Sequence, residues 1–144
     1  MLRSWMLAGL VFVCGLLAAA SQVAAGSPGS GVVLAVAFCA LAALVSPLAF
    51  PRSITAAEAQ QRSTDDGRAI IYWRPGCQYC IRLRLKLGRL ARRAYWVNIW
   101  TDPEAAAAVR AITGGNETVP TVVYAGHPQV NPDPDQLRRQ LLAD

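Results

Sequence analysis

The first third of this 144-residue chain almost lacks charge. Between residues 1 and 51 the only charged side chain is Arg3, and the first acidic residue along the chain is Glu58. The hydrophobic fraction of 53% and the formal net charge of +5 therefore come largely from different parts of the chain. A single soluble domain would mix charged and apolar residues, so this distribution excludes that class. The many aliphatic and aromatic residues exclude a disordered chain.

The chain also has few residues that bind metals. It has four cysteines and one histidine, His127. Cys14 and Cys39 lie in apolar runs, where cysteine behaves as a small hydrophobic residue. Cys77 and Cys80 form Cys-Gln-Tyr-Cys, which is typical of half a zinc site or of a dithiol redox centre. Structural zinc needs four ligands, so the lack of a second such pair disfavours zinc within one chain, while an intermolecular site stays open.

Two uncharged apolar runs, residues 5–25 and 32–50, are each long enough to cross a bilayer. A helix rises about 1.5 Å per residue, so each run covers roughly the 30 Å of hydrocarbon. Residues 26–31 between them read Gly-Ser-Pro-Gly-Ser-Gly, which predicts a turn. The sequence therefore predicts a transmembrane hairpin over residues 1–51. The alternative is a cleaved signal peptide followed by one span.

The few arginines around these runs predict an orientation. Arg3 precedes the first run, the turn has no Lys or Arg, and Arg52 and Arg62 follow the second run. Under the positive-inside rule, both alternatives place the charged half in the cytoplasm. We predict a multi-pass protein of the cell membrane, in contact with lipid. An inverted topology would instead favour an extracytoplasmic thiol oxidase or isomerase.

The charged half is divided into a linker, residues 52–65, and one small domain, residues 66–144. Thr55 and Glu58 have the spacing of a capping box, which indicates a short helix in the linker. Beyond the linker, strands and helices alternate. The predicted strands cover residues 69–73, 95–100 and 118–124, and the predicted helices cover 77 to about 94, 103–111 and 131–142.

Two smaller predictions concern side chains of this domain. In the first of its helices, Ile81, Leu85 and Leu90 are predicted to face the core, while the arginine stems lie along the other side. His127 stands between Gly126 and Pro128 and is predicted to be a turn residue between the last two strands.

The position of Cys77 favours a reactive thiolate. It lies at the predicted start of a helix, directly after a buried strand, where unpaired N–H groups and the helix dipole lower the pKa of a thiol. Arg74 adds a cation that can do the same or can bind an anionic thiol substrate. Cys80 follows one helical turn later, within reach of Cys77, and can resolve a mixed disulfide.

The order of these elements resembles the thioredoxin-like α/β fold, β-α-β-α-β-β-α. Within that fold the chain resembles glutaredoxins, and most of all the mycoredoxins of bacteria that use mycothiol. The resemblance depends on Cys77-Gln78-Tyr79-Cys80, on residues 114–122 with Thr-Val-Pro, and on Asn131-Pro132 before the last helix. It covers nearly all of the charged half and none of the apolar half.

The resemblance implies a thiol–disulfide oxidoreductase in which Cys77 attacks a mixed disulfide and Cys80 resolves it. It also implies a cis peptide bond before Pro120 and a pairing of the Val119 backbone with the incoming thiol. The residues expected to bind that thiol are Arg74, Tyr79, Thr118, Val119, Pro120 and Asp133. Mycothiol or glutathione would be the co-substrate and disulfide-containing proteins the partners, with no metal and no tightly bound cofactor.

One departure from the family bears on the choice of thiol. Typical glutaredoxins hold glutathione with a Gly-Gly and paired acidic residues before the last helix, whereas Asn131-Pro132-Asp133 stands here. Glutathione is therefore the less favoured co-substrate.

A binding module is the alternative to an enzyme. Some glutaredoxins hold an iron–sulfur cluster with the first cysteine and an external thiol, and such a carrier would be a coloured dimer, whereas we expect a colourless monomer. The six cations between residues 82 and 93 predict a solvated helix face that anionic lipid can attract. No nucleic-acid-binding motif accompanies them, so nucleic acid is not an expected partner.

Overall fold

The computed structural model describes residues 2–46 and 49–143, apart from the side chains of residues 2–4. The chain divides into two compact units, Met1–Ala49 and Phe50–Asp144. Each is described by itself below.

The first unit consists of helices α1 (Leu2–Ala24) and α2 (Pro28–Val45). α2 begins four residues before the predicted second run of 32–50 and ends at Val45, and residues 47–48 of that run lie outside the described residues. The early start follows from Pro28, whose ring suits the first position of a helix. The turn between the helices is therefore shorter than predicted and contains Gly26 with φ of 79°.

Small residues lie between the two helices, and large apolar residues point outward. A Cβ added at Gly15 would overlap the side chain of Phe38, so only glycine allows this close packing. Cys14 and Cys39 are exposed and unpaired. The outward-facing residues include Leu10, Leu17, Val33 and Val36. By length and composition, Trp5–Ala24 and Pro28–Val45 could each cross a membrane.

The second unit is a four-stranded mixed sheet with helices, in the strand order β2-β1-β3-β4. β1 is parallel to β2 and antiparallel to β3, and β3 and β4 form a hairpin. Leaving aside one additional helix at its start, the order of elements is β-α-β-α-β-β-α, which confirms the predicted thioredoxin-like fold. The strands are β1 (Ile70–Trp73), β2 (Tyr95–Asn98), β3 (Thr121–Tyr124) and β4 (His127–Val130). The helices are α3 (Ala56–Asp66), α4 (Gln78–Leu87), α5 (Pro103–Ile112) and α6 (Pro134–Ala143).

The core is formed by β1 and β2 and by the helices that pack on them. All four side chains of β1 are buried, as expected for a strand covered on both faces. α4 packs against α6, and α3 packs against β1, β2 and α5. The largest fully buried side chains include Ile71, Tyr72, Trp73, Trp96, Leu83 and Leu137.

The buried face of α4 differs from the predicted one. Cys80, Leu83 and Leu87 are buried, whereas Leu85 is 62% exposed and Ile81 is partly exposed. The buried residues are spaced three and four apart and therefore share one side of the helix. The prediction of Ile81 and Leu85 as core residues was wrong, because apolar residues at alternate positions fall on two opposite sides of a helix, and the sequence pattern does not say which side is buried.

The same helix is also shorter than predicted. Gly88 adopts a positive φ of 55°, which glycine tolerates and which ends α4, and a 3-10 helix follows over Gly88–Arg93. At the other end of the domain, His127 is the first residue of β4 and pairs with Tyr124, so it is not a turn residue. The turn of that hairpin contains Ala125 and Gly126, both with positive φ.

The segment before α3 packs on the domain. The ring of Phe50 stacks on that of Trp73 with centroids 3.8 Å apart. The Trp73 indole N–H donates to Oγ of Ser53 at 3.0 Å, and the Ile54 N–H donates to the Trp96 carbonyl oxygen at 3.1 Å. In α3, Ala56 and Ala59, which lie one turn apart, are buried. Residues 50–65 are therefore a packed part of the second unit rather than a free spacer.

One carboxylate joins the starts of two helices. Oδ1 of Asp102 accepts from the N–H groups of Glu104 and Ala105, which caps α5. Oδ2 of the same residue accepts from the N–H of Ala56 at 2.7 Å, at the start of α3. This shared cap fixes α3 to the end of the sheet at which β2 leads into α5.

Candidate active site

Cys77 is positioned by the turn that joins β1 to α4. The Arg74 carbonyl oxygen accepts from the Cys77 N–H at 3.4 Å, and Gly76 within the turn has φ of 75°. Pro75 is fully buried, which anchors the turn to the core. Cys77 is the N-cap of α4, and its sulfur accepts from the Cys80 N–H at 3.4 Å. The predicted placement at a helix N-terminus is confirmed.

The loop before β3 lies against the same sulfur atom. The Cys77 thiol donates to the carbonyl oxygen of Val119 at 3.3 Å. The Val119–Pro120 peptide bond is cis, as the resemblance implied. Because β3 runs antiparallel to β1, the residues before β3 and the residues after β1 meet at one end of the sheet.

The surroundings of Cys77 favour its thiolate. A hydrogen bond from the Cys80 thiol has the largest effect, and the N–H groups of Cys80 and Tyr79 and the charge of Arg74 add to it. Partial burial opposes them, and the pKa of Cys77 falls to about 6. The Val119 carbonyl oxygen accepts a hydrogen bond from the Cys77 thiol. The thiolate has no proton to donate and is repelled by this oxygen, so ionisation breaks the contact.

Cys80 is the opposite kind of thiol. Its side chain is fully buried. Its pKa is raised, because its proton is held in the hydrogen bond to Cys77, because burial disfavours the charged form, and because a negative Cys77 lies beside it. The two thiols therefore differ in both access and ionisation, which suits a partly exposed attacking thiolate and a protected second thiol.

A groove of about 780 Å³ opens beside Cys77. Of the predicted thiol-binding residues, Arg74, Tyr79, Thr118 and Val119 line it, whereas Pro120 and Asp133 line a neighbouring depression of about 280 Å³. Tyr79 and Asn131 border both. Five further residues line the groove and were not predicted as site residues: Gly76, Gln78, Asn116, Glu117 and Asn131.

Local contacts fix the polar rim of the groove. Oε1 of Glu117 accepts from Nη1 of Arg110 at 2.6 Å, which ties the rim to α5. Asn131 adopts φ of 47°, and its N–H donates to the Pro120 carbonyl oxygen at 2.8 Å. Asn tolerates this left-handed conformation better than most residues.

Asp133 has a structural use in the described residues. Its Oδ1 accepts from the N–H groups of Asp135 and Gln136 at 3.1 and 2.9 Å, so this carboxylate oxygen caps the start of α6.

Comparison with known proteins agrees with this arrangement. The model of the glutaredoxin family matches residues 69–128. Two Mycobacterium tuberculosis proteins, from strains CDC 1551 / Oshkosh and ATCC 25618 / H37Rv, are named as candidate glutaredoxins. Each is 40% identical to this chain over 74 residues, a stretch that covers 50% of this chain and 87% of the relative. This chain belongs to the glutaredoxin family.

In this glutaredoxin the site is a dithiol site. Among residues 2–46 and 49–143, no group of three or more His, Cys, Asp or Glu side chains could hold a metal ion. The chemistry available to the groove is nucleophilic attack by the Cys77 sulfur. A substrate in the groove would meet a cation at Arg74 and a carboxylate at Glu117.

Proposed function

We propose that this glutaredoxin reduces protein disulfides, or mixed disulfides between proteins and a low-molecular-weight thiol, as mycoredoxins do. The observation that carries the proposal is that Cys77 is accessible and has its pKa lowered to about 6, while Cys80, one helical turn later, is buried. The N–H groups at the start of α4 stabilise negative charge on Cys77 both before attack and when it is displaced again.

The reaction is a pair of thiol–disulfide exchanges. The Cys77 thiolate attacks one sulfur of the substrate disulfide, forms a new S–S bond and expels the other sulfur as a thiolate. Cys80 then loses its proton, attacks the Cys77 sulfur and expels the second substrate sulfur. The substrate gains two electrons, and the enzyme is left with a Cys77–Cys80 disulfide. Two molecules of a low-molecular-weight thiol restore the dithiol and become a disulfide themselves.

We propose mycothiol as that thiol and glutathione as the less favoured alternative. Asn131-Pro132 stands where typical glutaredoxins have Gly-Gly, and an Asp133 carboxylate oxygen is engaged as a helix cap. The polar groups that face the groove include Arg74, Asn116 and Asn131, which can donate hydrogen bonds to a ligand rich in oxygen atoms.

The pH dependence of mixed-disulfide reduction tests this function. Because the thiolate is the nucleophile, we expect the single-turnover rate of the full chain to be nearly constant above about pH 7. Below about pH 6 it should fall roughly tenfold per pH unit. The measurement is thiol release from a peptide–thiol mixed disulfide between pH 4 and 9. A midpoint near the ordinary thiol value of 9.0, or no thiol release at any pH, would contradict the proposal.

We further propose that α1 and α2 anchor the protein in the cell membrane as a hairpin, with the redox domain in the cytoplasm. The outer surface of the two helices supports this, since it consists largely of exposed Leu, Val and Phe side chains. Small residues between the helices, such as Gly15 and Gly31, suit packing within lipid. The orientation is supported by Arg52 and Arg62 after α2.

Thiol labelling in cells tests the orientation. A membrane-impermeant maleimide should label Cys77 only after the cells are lysed, because a cytoplasmic domain is not accessible from outside. Cys80 is buried and contributes little. Cys77→Ser is the matched control, since it removes the thiol of interest and leaves Cys14 and Cys39 in place. Labelling of Cys77 in intact cells would show the inverted topology.

A further inference from the structure

The reactive thiol lies at one end of the sheet, here called the active-site pole. The pole comprises the residues that follow β1 and β2. These parallel strands end side by side, with Trp73 opposite Asn98, and the Ile99 N–H donates to the Trp73 carbonyl oxygen at 3.0 Å. Cys77 follows β1 by four residues, and Trp100 follows β2 by two. Both residues therefore belong to the same end of the domain.

The chain also enters the domain next to this pole. Phe50, the first residue of the second unit, stacks on Trp73, the last residue of β1. Four residues separate Val45, which ends α2, from Phe50. An extended chain covers about 3.5 Å per residue, so Phe50 lies within about 17 Å of the end of α2. This limit follows from chain length and holds for any arrangement of the two units.

The active-site pole exposes aromatic side chains. Trp100 is 40% exposed and Tyr79 is 50% exposed, although both are large and partly apolar. Trp and Tyr are favoured at the membrane–water interface, where the ring contacts the upper acyl region and the polar group stays hydrated. The charged residues near the pole have both signs: Arg52 and Arg74 are cationic, and Asp102 and Glu104 are anionic. Aromatic insertion rather than charge is thus the attraction that this pole offers.

We propose that the active-site pole docks on the membrane surface through Trp100, and that the preferred substrates are disulfides held at that surface. The proposal rests on the proposed function, since it requires both the anchor and the dithiol chemistry. A docked pole confines Cys77 and a surface disulfide to one thin layer, which raises their effective concentration. The substrates would be membrane proteins with a disulfide close to the bilayer.

Two disulfide probes of the same chemistry test the proposal in vesicles of phosphatidylcholine that contain the full chain. One probe is phosphatidylethanolamine with a 2-pyridyl disulfide on its head group, and the other is soluble 2,2′-dithiodipyridine. The Cys77 thiolate attacks the disulfide and releases pyridine-2-thione, which is followed by absorbance. Cys80 then displaces the remaining thiol and closes the Cys77–Cys80 disulfide, so one turnover needs no added reductant.

Trp100→Glu is the test variant, because it places a charge on the docking residue without touching the groove. Leu142→Glu is the matched control, since Leu142 is 56% exposed on α6. The carbonyl oxygen of the neighbouring Leu141 accepts a hydrogen bond from Arg93, which lies at the end of the 3-10 helix. Leu142 is therefore away from the start of α4. We expect Trp100→Glu to slow the reaction with the lipid probe about tenfold and to leave the reaction with the soluble probe unchanged. Leu142→Glu should change neither rate.

The outcomes separate the docking from the redox chemistry. An unchanged ratio of the two rates in Trp100→Glu would overturn the docking, as would an equal loss toward both probes. No reaction of the wild-type chain with either probe would instead count against the proposed function. Docking is then decided by fluorescence. The contribution of Trp100 to the tryptophan fluorescence is the difference between the wild-type chain and Trp100→Phe. In vesicles this contribution should be protected from quenching by iodide, and full quenching by iodide would overturn the proposal.

Discussion

Replacing Cys77 by serine should lower the rate of disulfide exchange by at least about a thousandfold. A serine hydroxyl remains un-ionised near neutral pH, so the hydrogen bonds at the start of α4 would have no anion to stabilise. Cys80 cannot take over the attack, because it is fully buried, and this burial keeps substrates away and disfavours its thiolate even without Cys77. The measurement is the rate of thiol release from a peptide–thiol mixed disulfide, with wild-type and variant chains in the same vesicles.

Cys80→Ser is the matched control for this experiment. It keeps the accessible Cys77, so the first exchange should proceed and the mixed disulfide on Cys77 should accumulate, as seen by a mass increase equal to one substrate thiol. Release of that thiol would then require an external thiol. Activity of Cys77→Ser close to that of the wild type would show that Cys77 is not the nucleophile.

Replacing Phe50 by alanine should destabilise the redox domain by about 3 kcal/mol, although Phe50 lies at the boundary of the apolar half. The side chain is only 6% exposed, stacks on Trp73 and meets Trp96 edge-on with centroids 5.5 Å apart. Its removal leaves a cavity between two large rings and forfeits the aromatic contacts. The measurement is urea unfolding of the full chain in detergent, followed by near-ultraviolet circular dichroism.

The control for this substitution is Leu142→Ala, which removes an exposed apolar side chain of the same domain. Its effect should stay within about 0.5 kcal/mol, as is usual at the surface. Phe50→Leu should fall between the two, since leucine fills part of the space. If Phe50→Ala also stayed within about 0.5 kcal/mol, the segment before α3 would have to be a spacer after all.

Sequence patterns were sufficient for the elements whose signals are local. The apolar, β-branched run before Arg74 predicted β1, and Asp102-Pro103 predicted the start of α5. The structure has both elements at these positions. The buried strand before Cys77 and the helix predicted after it placed Cys77 at a helix N-terminus, and the cysteine spacing placed Cys80 one turn later, as the structure has them. In each case the residues that define the element are adjacent in sequence, so no knowledge of the tertiary packing was needed.

The features that the sequence did not reveal depend on tertiary contacts. α4 has apolar residues on two opposite sides, and its packing against α6 and the 3-10 helix selects the side of Leu83 and Leu87 over that of Leu85. The segment that contains Phe50 and Ile54 has neither helical nor strand periodicity, and its contacts with Trp73 and Trp96 join residues far apart in sequence. A proline-rich stretch of this kind is easily read as the end of a span.

The candidate site was predicted in its centre and missed at its rim. Arg74, Tyr79 and Val119 were named from motifs and do line the groove. Asn116 and Glu117 belong to the loop before β3, and a loop residue reaches a site only through the path of the backbone, which sequence spacing does not specify. Asn131 was noticed as a departure from the family, yet its contact with Pro120 required the structure.

The hydrogen bond between Ile54 and Trp96 also bears on how copies of the protein behave beside one another. β2 is an outer strand of the sheet, and such a strand offers unpaired backbone groups to any extended chain that approaches. The segment before α3 lies along that margin and already uses the Trp96 carbonyl oxygen. A chain confined to a bilayer meets its copies at high local density, and a blunted sheet margin protects it there against strand-to-strand aggregation.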